Sequence, residues 1–521
     1  MADLGFFNQA ASHPDTTAVV APDGREVTWA ELASAANRIS NGLRALGVDR
    51  GDTVTVVVPN SIEMLEVYLG ATQIGCYLTP INHHLVGPEI AYIVSDSDAK
   101  VLIGHERFSD ALTSALAESG LSPDRAFSIG TVEGFRPFAD LIAGQDDARP
   151  EHRTAGGPMH YTSGTTGRPK GVKRALVDMD PDELGGLYAL FLTMFGVQPE
   201  DGNVHITGSP LYHTAVLLWT MNSLNMGHTV VMMDKWSPEG MLQLIDRHHV
   251  TTSHMVPTQL HRLLALPEDV RARYDVSSLR CMVHAAAPCP PDVKRRMIEW
   301  WGDSIMEYYA ATEGGGTIVT AKEWLDRPGT VGKAWGGAEV RIYDDDGKQL
   351  GVGEIGTVYM ALSQASFEYK GDEQKTKGNR IYEPDGSAYF TVGDVGELDD
   401  EGYLFLRDRK IDMIISGGAN IYPAEIESAF LSCPLVGDVA VFGIPNDDWG
   451  EEVKAVVEPA EGHVAGADLE VQLRDFAEAN LASYKRPKSY DFTNEMPRDP
   501  SGKLYKRKLR DPYWEGVSRA I

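Results

Sequence analysis

The chain has 521 residues, 43% of them hydrophobic, enough for a large core and, by length, three or four units of ordinary size. With 75 acidic against 47 basic residues the net charge is −28, which repels nucleic acid and anionic membranes over most of the exterior. An anionic ligand would therefore need local positive charge.

Four scattered cysteines (Cys76, Cys281, Cys289, Cys433) form no CxxC pair or metal spacing and read as reduced thiols of a cytoplasmic protein. The first ten residues carry no basic leader, and no apolar run approaches the roughly 18 residues that cross a bilayer. Neither secretion nor a membrane span is expected.

In chain order, Leu32, Ala36, Ile39, Leu43 and Leu46 recur at helical spacing behind Thr28, with Glu31 three residues on, so a capped helix is predicted over 28–46. A β-branched strand over 54–58 and a helix over 62–74 follow, and the alternation returns over 89–103 and 242–256. This rhythm predicts parallel sheets covered by helices. After about Val331 short strands alternate with the turns Asp344-Asp345-Asp346-Gly347 and Asp399-Asp400-Glu401-Gly402, indicating a small antiparallel, barrel-like region. Beyond Asp408 helices are predicted over 423–431 and 469–479, with a strand over 439–443. The fold class is α/β: a large N-terminal domain (1–408) of two α/β sheets plus a barrel-like subdomain, then a smaller mobile α+β domain (409–521).

The most informative stretch is Tyr161-Thr162-Ser163-Gly164-Thr165-Thr166-Gly167-Arg168-Pro169-Lys170-Gly171. Small hydroxyl residues and glycines ahead of a lysine can offer N–H groups, hydroxyls and a cation to phosphate oxygens. It is not a Walker A loop, because Lys170 is followed by Gly171 and Val172. By composition alone it is also an ordinary flexible surface loop. Gly351, Gly353 and Gly356 satisfy GxGxxG but lead into a strand, where a dinucleotide loop opens a helix. Gly302-Asp303-Ser304-Ile305 resembles a carrier-protein serine site but precedes a strand, so no carrier domain is assigned.

Four polar points follow the loop. Thr312 and Glu313, before Gly314 to Gly316, fall at a strand tip where a carboxylate can hold Mg²⁺ against phosphate oxygens, or is simply a strand-end glutamate. Asp394 is suited to accept hydrogen bonds from two ribose hydroxyls, and is equally a turn residue. Arg409 can pair with it or with a nucleotide. Lys503, in Pro500-Ser501-Gly502-Lys503, sits in a glycine turn.

In this order the points resemble the superfamily of adenylate-forming enzymes, which includes acyl-CoA synthetases, firefly luciferase and peptide-synthetase adenylation domains. The resemblance spans nearly the whole chain, from Val27-Thr28-Trp29-Ala30-Glu31-Leu32 and Gly51-Asp52-Thr53-Val54 through the loop to Tyr484-Lys485-Arg486-Pro487 and Gly502-Lys503. It implies that Thr162, Ser163, Gly164, Thr165, Thr166, Gly167 and Lys170 bind ATP phosphates. Tyr309 and Ala310 would meet adenine, Thr312 and Glu313 the α-phosphate and Mg²⁺, and Asp394 and Arg409 the ribose. Lys503 would bridge the acyl carboxylate and α-phosphate. His213, Leu217, Met255 and Ala286 would line the acyl pocket, and Ser416, Gly417 and Gly418 the tunnel for coenzyme A.

Departures from the family pattern are Ala310 in place of a glycine, Ala285-Ala286-Ala287-Pro288 where glycines are commoner, and Ile411 at the usually charged hinge. The basic tail Lys506, Arg507, Lys508, Arg510 reads as facing ATP or CoA phosphates, or as a solvated face. The implied activity is an acid–CoA ligase acting on a fatty acid or a bulky bile-acid or steroid acid. An acyl-AMP ligase serving a carrier protein, an aryl-acid CoA ligase and a noncatalytic nucleotide-binding regulator are the alternatives. A homodimer is the default expectation.

Overall fold

The structure is a computed structural model that describes residues 4–162, 169–199, 201–336, 338–361, 367–409, 411–417, 419–446, 448–498 and 504–515. Its contacts divide into two units, one of Met1–His254, Pro267–Met282 and Ser363–Gly378, the other of Met255–Leu266, Val283–Leu362 and Asn379–Ile521.

In the first unit the predicted cap is present: Thr28 accepts from the Glu31 N–H, and the Glu31 carboxylate accepts from the Thr28 N–H, at the start of the helix Trp29–Ala45. Its apolar stripe, Leu32, Ala36, Ile39 and Leu43, is buried in the core. A parallel sheet runs in the order Arg136–Pro137, Ala126–Ile129, Ala99–His105, Thr53–Val57, Tyr77–Pro80, Gly157–Pro158. Every residue of Thr53–Val57 is buried, as a central parallel strand with both faces covered requires. A second parallel set comprises Thr252–Met255, Val204–Thr207, Thr229–Met232 and Thr17–Val20, edged antiparallel by Glu26–Thr28. A three-stranded antiparallel set, His160–Thr162, Lys170–Arg174 and Phe367–Tyr369, completes this unit.

In the second unit Ile305–Ala311, Gly314–Thr320 and Lys333–Ala334 form an antiparallel set. A six-stranded antiparallel sheet branches at Gly356–Ala361, which pairs with Val340–Tyr343, Ala388–Phe390 and Asp394–Leu398. This is the predicted small β region, with Ile342, Val358 and Leu404 at its core. Nearer the C-terminus Val436–Asn446 and Gly450–Pro459 make a long hairpin, joined in parallel by Ser489–Phe492 and covered by the helices Pro423–Leu431 and Ala467–Asn480. Their apolar faces meet in a separate core around Phe430, Val441, Val457 and Leu473. Among the described residues no helix is long and apolar enough to cross a membrane.

Candidate functional site

The strand Ile305–Ala311 turns back through two residues, Thr312 and Glu313, into Gly314–Thr320. Both turn residues are partly exposed. At Gly316 (φ 154) an added Cβ would lie 2.1 Å from the Trp335 ring, so only glycine fits there. The register shifts between Tyr309 and Ala311, placing Ala310 at a bulge.

Tyr309 donates its hydroxyl to Asp394 Oδ2 at 2.6 Å, and Asp394 lies directly opposite Arg409 in the strand pair. Arg409 Nε is 3.4 Å from Asp394 Oδ1. Burial, and then the neighbouring Asp394 carboxylate, hold the Tyr309 phenol well above its ordinary value, so it remains a donor. Asp394 is thus oriented from two sides. The charge of Glu313 also acts on Tyr309, so Tyr309, Glu313, Asp394 and Arg409 form one electrostatic group. Mg²⁺ keeps most of its waters and takes only one or two protein carboxylates beside phosphate oxygens, so the single partly exposed Glu313 fits that ion.

In the other unit, Lys170 pairs across the hairpin with Thr162, so the two ends of the predicted phosphate loop are held together. Ser163, Gly164, Thr165, Thr166 and Gly167 lie outside the described residues, as do Gly418 and Lys503.

Of the residues expected to line an acyl pocket, His213 is the N-cap of the helix Thr214–Asn225, and Leu217, one turn on, is buried and donates its N–H to the His213 carbonyl. His213 acts electrostatically on two buried histidines, His160 and His254. Burial drives both imidazoles down to about 3, as it does for His205, and takes His83 to about 4. In the second unit the Met255 carbonyl accepts from the Ala285 N–H at 3.2 Å, which brings Met255 beside the Ala285–Ala287 stretch. Ala286 has a left-handed φ of 72°, a conformation that suits the glycine commoner in the family pattern.

Ser416 ends the strand Ile414–Ser416, and Gly417 follows at φ 57° with its N–H on the Trp449 carbonyl. A Cβ at Gly417 would lie 2.5 Å from the Trp449 ring, so the indole by itself requires a glycine there.

Sequence reasoning missed two ion pairs, one of them buried. Lys294, fully buried, lies 2.5 Å from Glu307 Oε2 and above the Trp324 ring. The available signal was its place on the apolar stripe of Pro291–Trp301, in step with Ile298 and Trp301. In the tail, expected to face ATP or CoA phosphates or solvent, Lys506 instead sits 2.8 Å from Glu427, with Asp408 and Asp412 also acting on it. Burial alone would lower the Lys506 ammonium; these carboxylates raise it. Arg510 is buried, 3.6 Å from Asp412, whereas Arg507 and Lys508 are exposed.

Residues 6–369 match the AMP-binding enzyme family and residues 425–503 the AMP-binding enzyme C-terminal domain. The chain is 31% identical to the long-chain-fatty-acid–CoA ligase FadD13 of Mycobacterium tuberculosis, over 98% of this chain and 99% of that protein. It is 31% identical to the fatty acid–[acyl-carrier-protein] ligase ScoC of Streptomyces coeruleorubidus, over 98% and 96%. Its fold is similar to that of ATP-bound MatB from Rhodopseudomonas palustris, at 29% identity and a TM-score of 0.80, covering 98% and 99% of the two chains. The chain belongs to the AMP-binding enzyme family, whose members are adenylate-forming ligases.

Proposed function

We propose that the protein is an ATP-dependent carboxylic acid–CoA ligase, and that it acts on a fatty acid or a bulky acid of bile-acid or steroid type. The observation that most supports it is the Tyr309–Asp394–Arg409 arrangement beside the Thr312–Glu313 turn: an oriented carboxylate suited to paired ribose hydroxyls next to a carboxylate suited to Mg²⁺. In this reading residues 1–408 carry the ATP and acyl sites and residues 409–521 form a domain that turns between half-reactions.

A carboxylate is a poor electrophile because its charge repels a thiolate and oxide is a poor leaving group. The acid oxygen therefore attacks the ATP α-phosphate, expelling pyrophosphate, and the CoA thiol then attacks the acyl carbon, expelling AMP. The first step gathers negative charge. Loop N–H groups between Thr162 and Lys170, the Thr312 hydroxyl and the Lys503 ammonium stabilise and position it, and no covalent enzyme nucleophile is needed. Mg²⁺, held at Glu313, would neutralise phosphate charge. Ser416, Gly417 and Gly418 would leave room for the narrow thiol arm, while His213, Leu217, Met255 and Ala286 shape the acyl pocket.

The similarity to the Streptomyces ligase supports a second reading, transfer of the acyl group to a carrier protein. The test is pyrophosphate release with ATP and Mg²⁺ across short, medium and long fatty, aryl and steroid side-chain acids, each with and without CoA. A thioester formed with one acid class only when CoA is present supports the ligase. Pyrophosphate with acid alone, and no CoA thioester, moves the assignment to the carrier-protein ligase, and a CoA thioester formed only with aryl acids moves it to an aryl-acid CoA ligase.

A further inference from the structure

The two stems of the hairpin that carries Thr162 and Lys170 are held to the end of one helix by four side chains. The helix Gly87–Asp96 stops at Asp96, and the chain turns through Ser97 and Asp98, the latter at φ 55°, into the strand Ala99–His105. Tyr161, one residue before Thr162, donates its hydroxyl to Asp96 Oδ2 at 2.7 Å. Tyr92 stands one helical turn before Asp96, its hydroxyl 3.2 Å from Asp96 Oδ1 and 3.1 Å from the Pro169 carbonyl. That hydroxyl has a single proton, so it is shared between the carboxylate and the carbonyl. One carboxylate thus reaches the entry to the loop, and the tyrosine beside it reaches the exit.

Lys370 closes the arrangement from the third strand. Its backbone N–H donates to the Gly171 carbonyl at 2.9 Å, and its ammonium bonds the Asp96 carbonyl and, at 2.6 Å, Asp98 Oδ2. The strand pairing itself is short: Thr162, Tyr161 and His160 oppose Lys170, Gly171 and Val172. So brief a ladder fixes register weakly. A loop of small residues offers aimed N–H groups only if its ends are held at a set distance, since otherwise ligand binding must first supply that order.

We infer that Asp96, Tyr92, Tyr161 and Lys370 are positioning residues that set the span of the phosphate loop, and that they govern the preference for a nucleoside triphosphate over a monophosphate. They act through the ends of the loop. The inference rests on the ATP reading of the loop given above.

The test is direct binding of Mg·ATP and of AMP to the full-length protein without acid or CoA, for Asp96→Asn, Tyr161→Phe and Lys370→Met, with Lys370→Arg as the conservative replacement. The expected result is an ATP Kd raised about tenfold with the AMP Kd unchanged, a loss typical of a hydrogen bond to a charged group. In pyrophosphate release the same variants raise KM for ATP more than they lower kcat, and Lys370→Arg recovers most of the loss. Because Asp96 and Tyr161 share one bond, Asp96→Ala/Tyr161→Phe is no worse than Asp96→Ala alone. Equal weakening of ATP and AMP, as a merely loosened fold would give, overturns the inference, as does no weakening of either. Lys170→Ala separates the two levels of argument. If it lowers ATP preference while the stem variants do not, the clamp fails and the loop reading stands; if it leaves the preference unchanged, both fall. Failure to form a thioester with CoA would sink the ligase assignment and leave this inference in place.

Discussion

Replacing Lys294 by methionine removes a fully buried ammonium 2.5 Å from Glu307 while nearly conserving volume. Around Glu307 stand His284, 3.8 Å away through Nε2, and the Cys289 thiol, both in contact with its field. Burial raises the Glu307 carboxyl, and the Lys294 ammonium opposes that rise. Without the cation burial acts with nothing to offset it, and an ionised Glu307 would cost about 3–5 kcal/mol. Glu307 avoids that cost by taking up a proton.

The sign then follows. A carboxyl whose folded value lies above its unfolded one binds more protons when folded, so its stabilisation is complete at low pH and is lost as pH rises toward the folded value. The gap between Lys294→Met and the parent protein should widen from pH 5.5 to 8.5, by at most about 1.4 kcal/mol per pH unit. Since so long a chain need not unfold in one step, the assay is amide hydrogen exchange within Ile305–Ala311, checked by urea unfolding. Lys294→Met/Glu307→Leu should recover most of the loss, because the pair as a whole contributes little once both charges are gone. A gap below about 1 kcal/mol at every pH, or a double variant worse than the single one, would refute this account.

Lys503→Ala should cripple acyl-AMP formation yet largely spare thioester formation from supplied acyl-AMP; comparable loss in both half-reactions would remove the division of labour. Tyr309→Phe frees one Asp394 oxygen and should weaken ATP and AMP alike, by about tenfold in titration calorimetry, in contrast to the loop-stem variants. An unchanged AMP affinity would detach Asp394 from the ribose. Ala286→Gly relieves the left-handed φ of 72° and should raise stability by up to about 1 kcal/mol in thermal unfolding; a decrease would mean that the Ala286 methyl packs against something it needs.

Local rules read well where local chemistry decides. The box of Thr28 and Glu31 and the helix Pro423–Leu431 were visible because caps and apolar spacing are written in consecutive residues. The turn at Thr312 and Glu313 was visible because three glycines mark it. The Tyr309–Asp394–Arg409 contacts were legible only as an ordered set, because Tyr309 and Asp394, 85 positions apart, meet through side chains from two different sheets that no window of sequence contains. The Lys506–Glu427 pair escaped notice for the same reason: Glu427 lies on another element, and a lysine in a basic run looks turned to phosphates or solvent until its neighbours in space are known. Tyr161 and Asp96 gave no signal at all, since neither residue type is unusual where it stands.

The buried imidazoles of the first unit also limit where the enzyme can work. His160, His205 and His254 refuse protons until about pH 3, whereas in an unfolded chain they accept them near 6.5. Acidification below that point therefore favours unfolding by about 4 kcal/mol per pH unit for the three together, well before ordinary carboxylates titrate. Residues 409–521 contain one histidine, the exposed His463, and carry no such burden. Mild acid should thus act on the two parts of the chain unequally, opening the first unit while the C-terminal hairpin and its helices stay folded. Between pH 6.5 and 9 the same imidazoles are silent, whereas the Glu66 carboxyl, which burial pushes up to about 7, titrates inside that window.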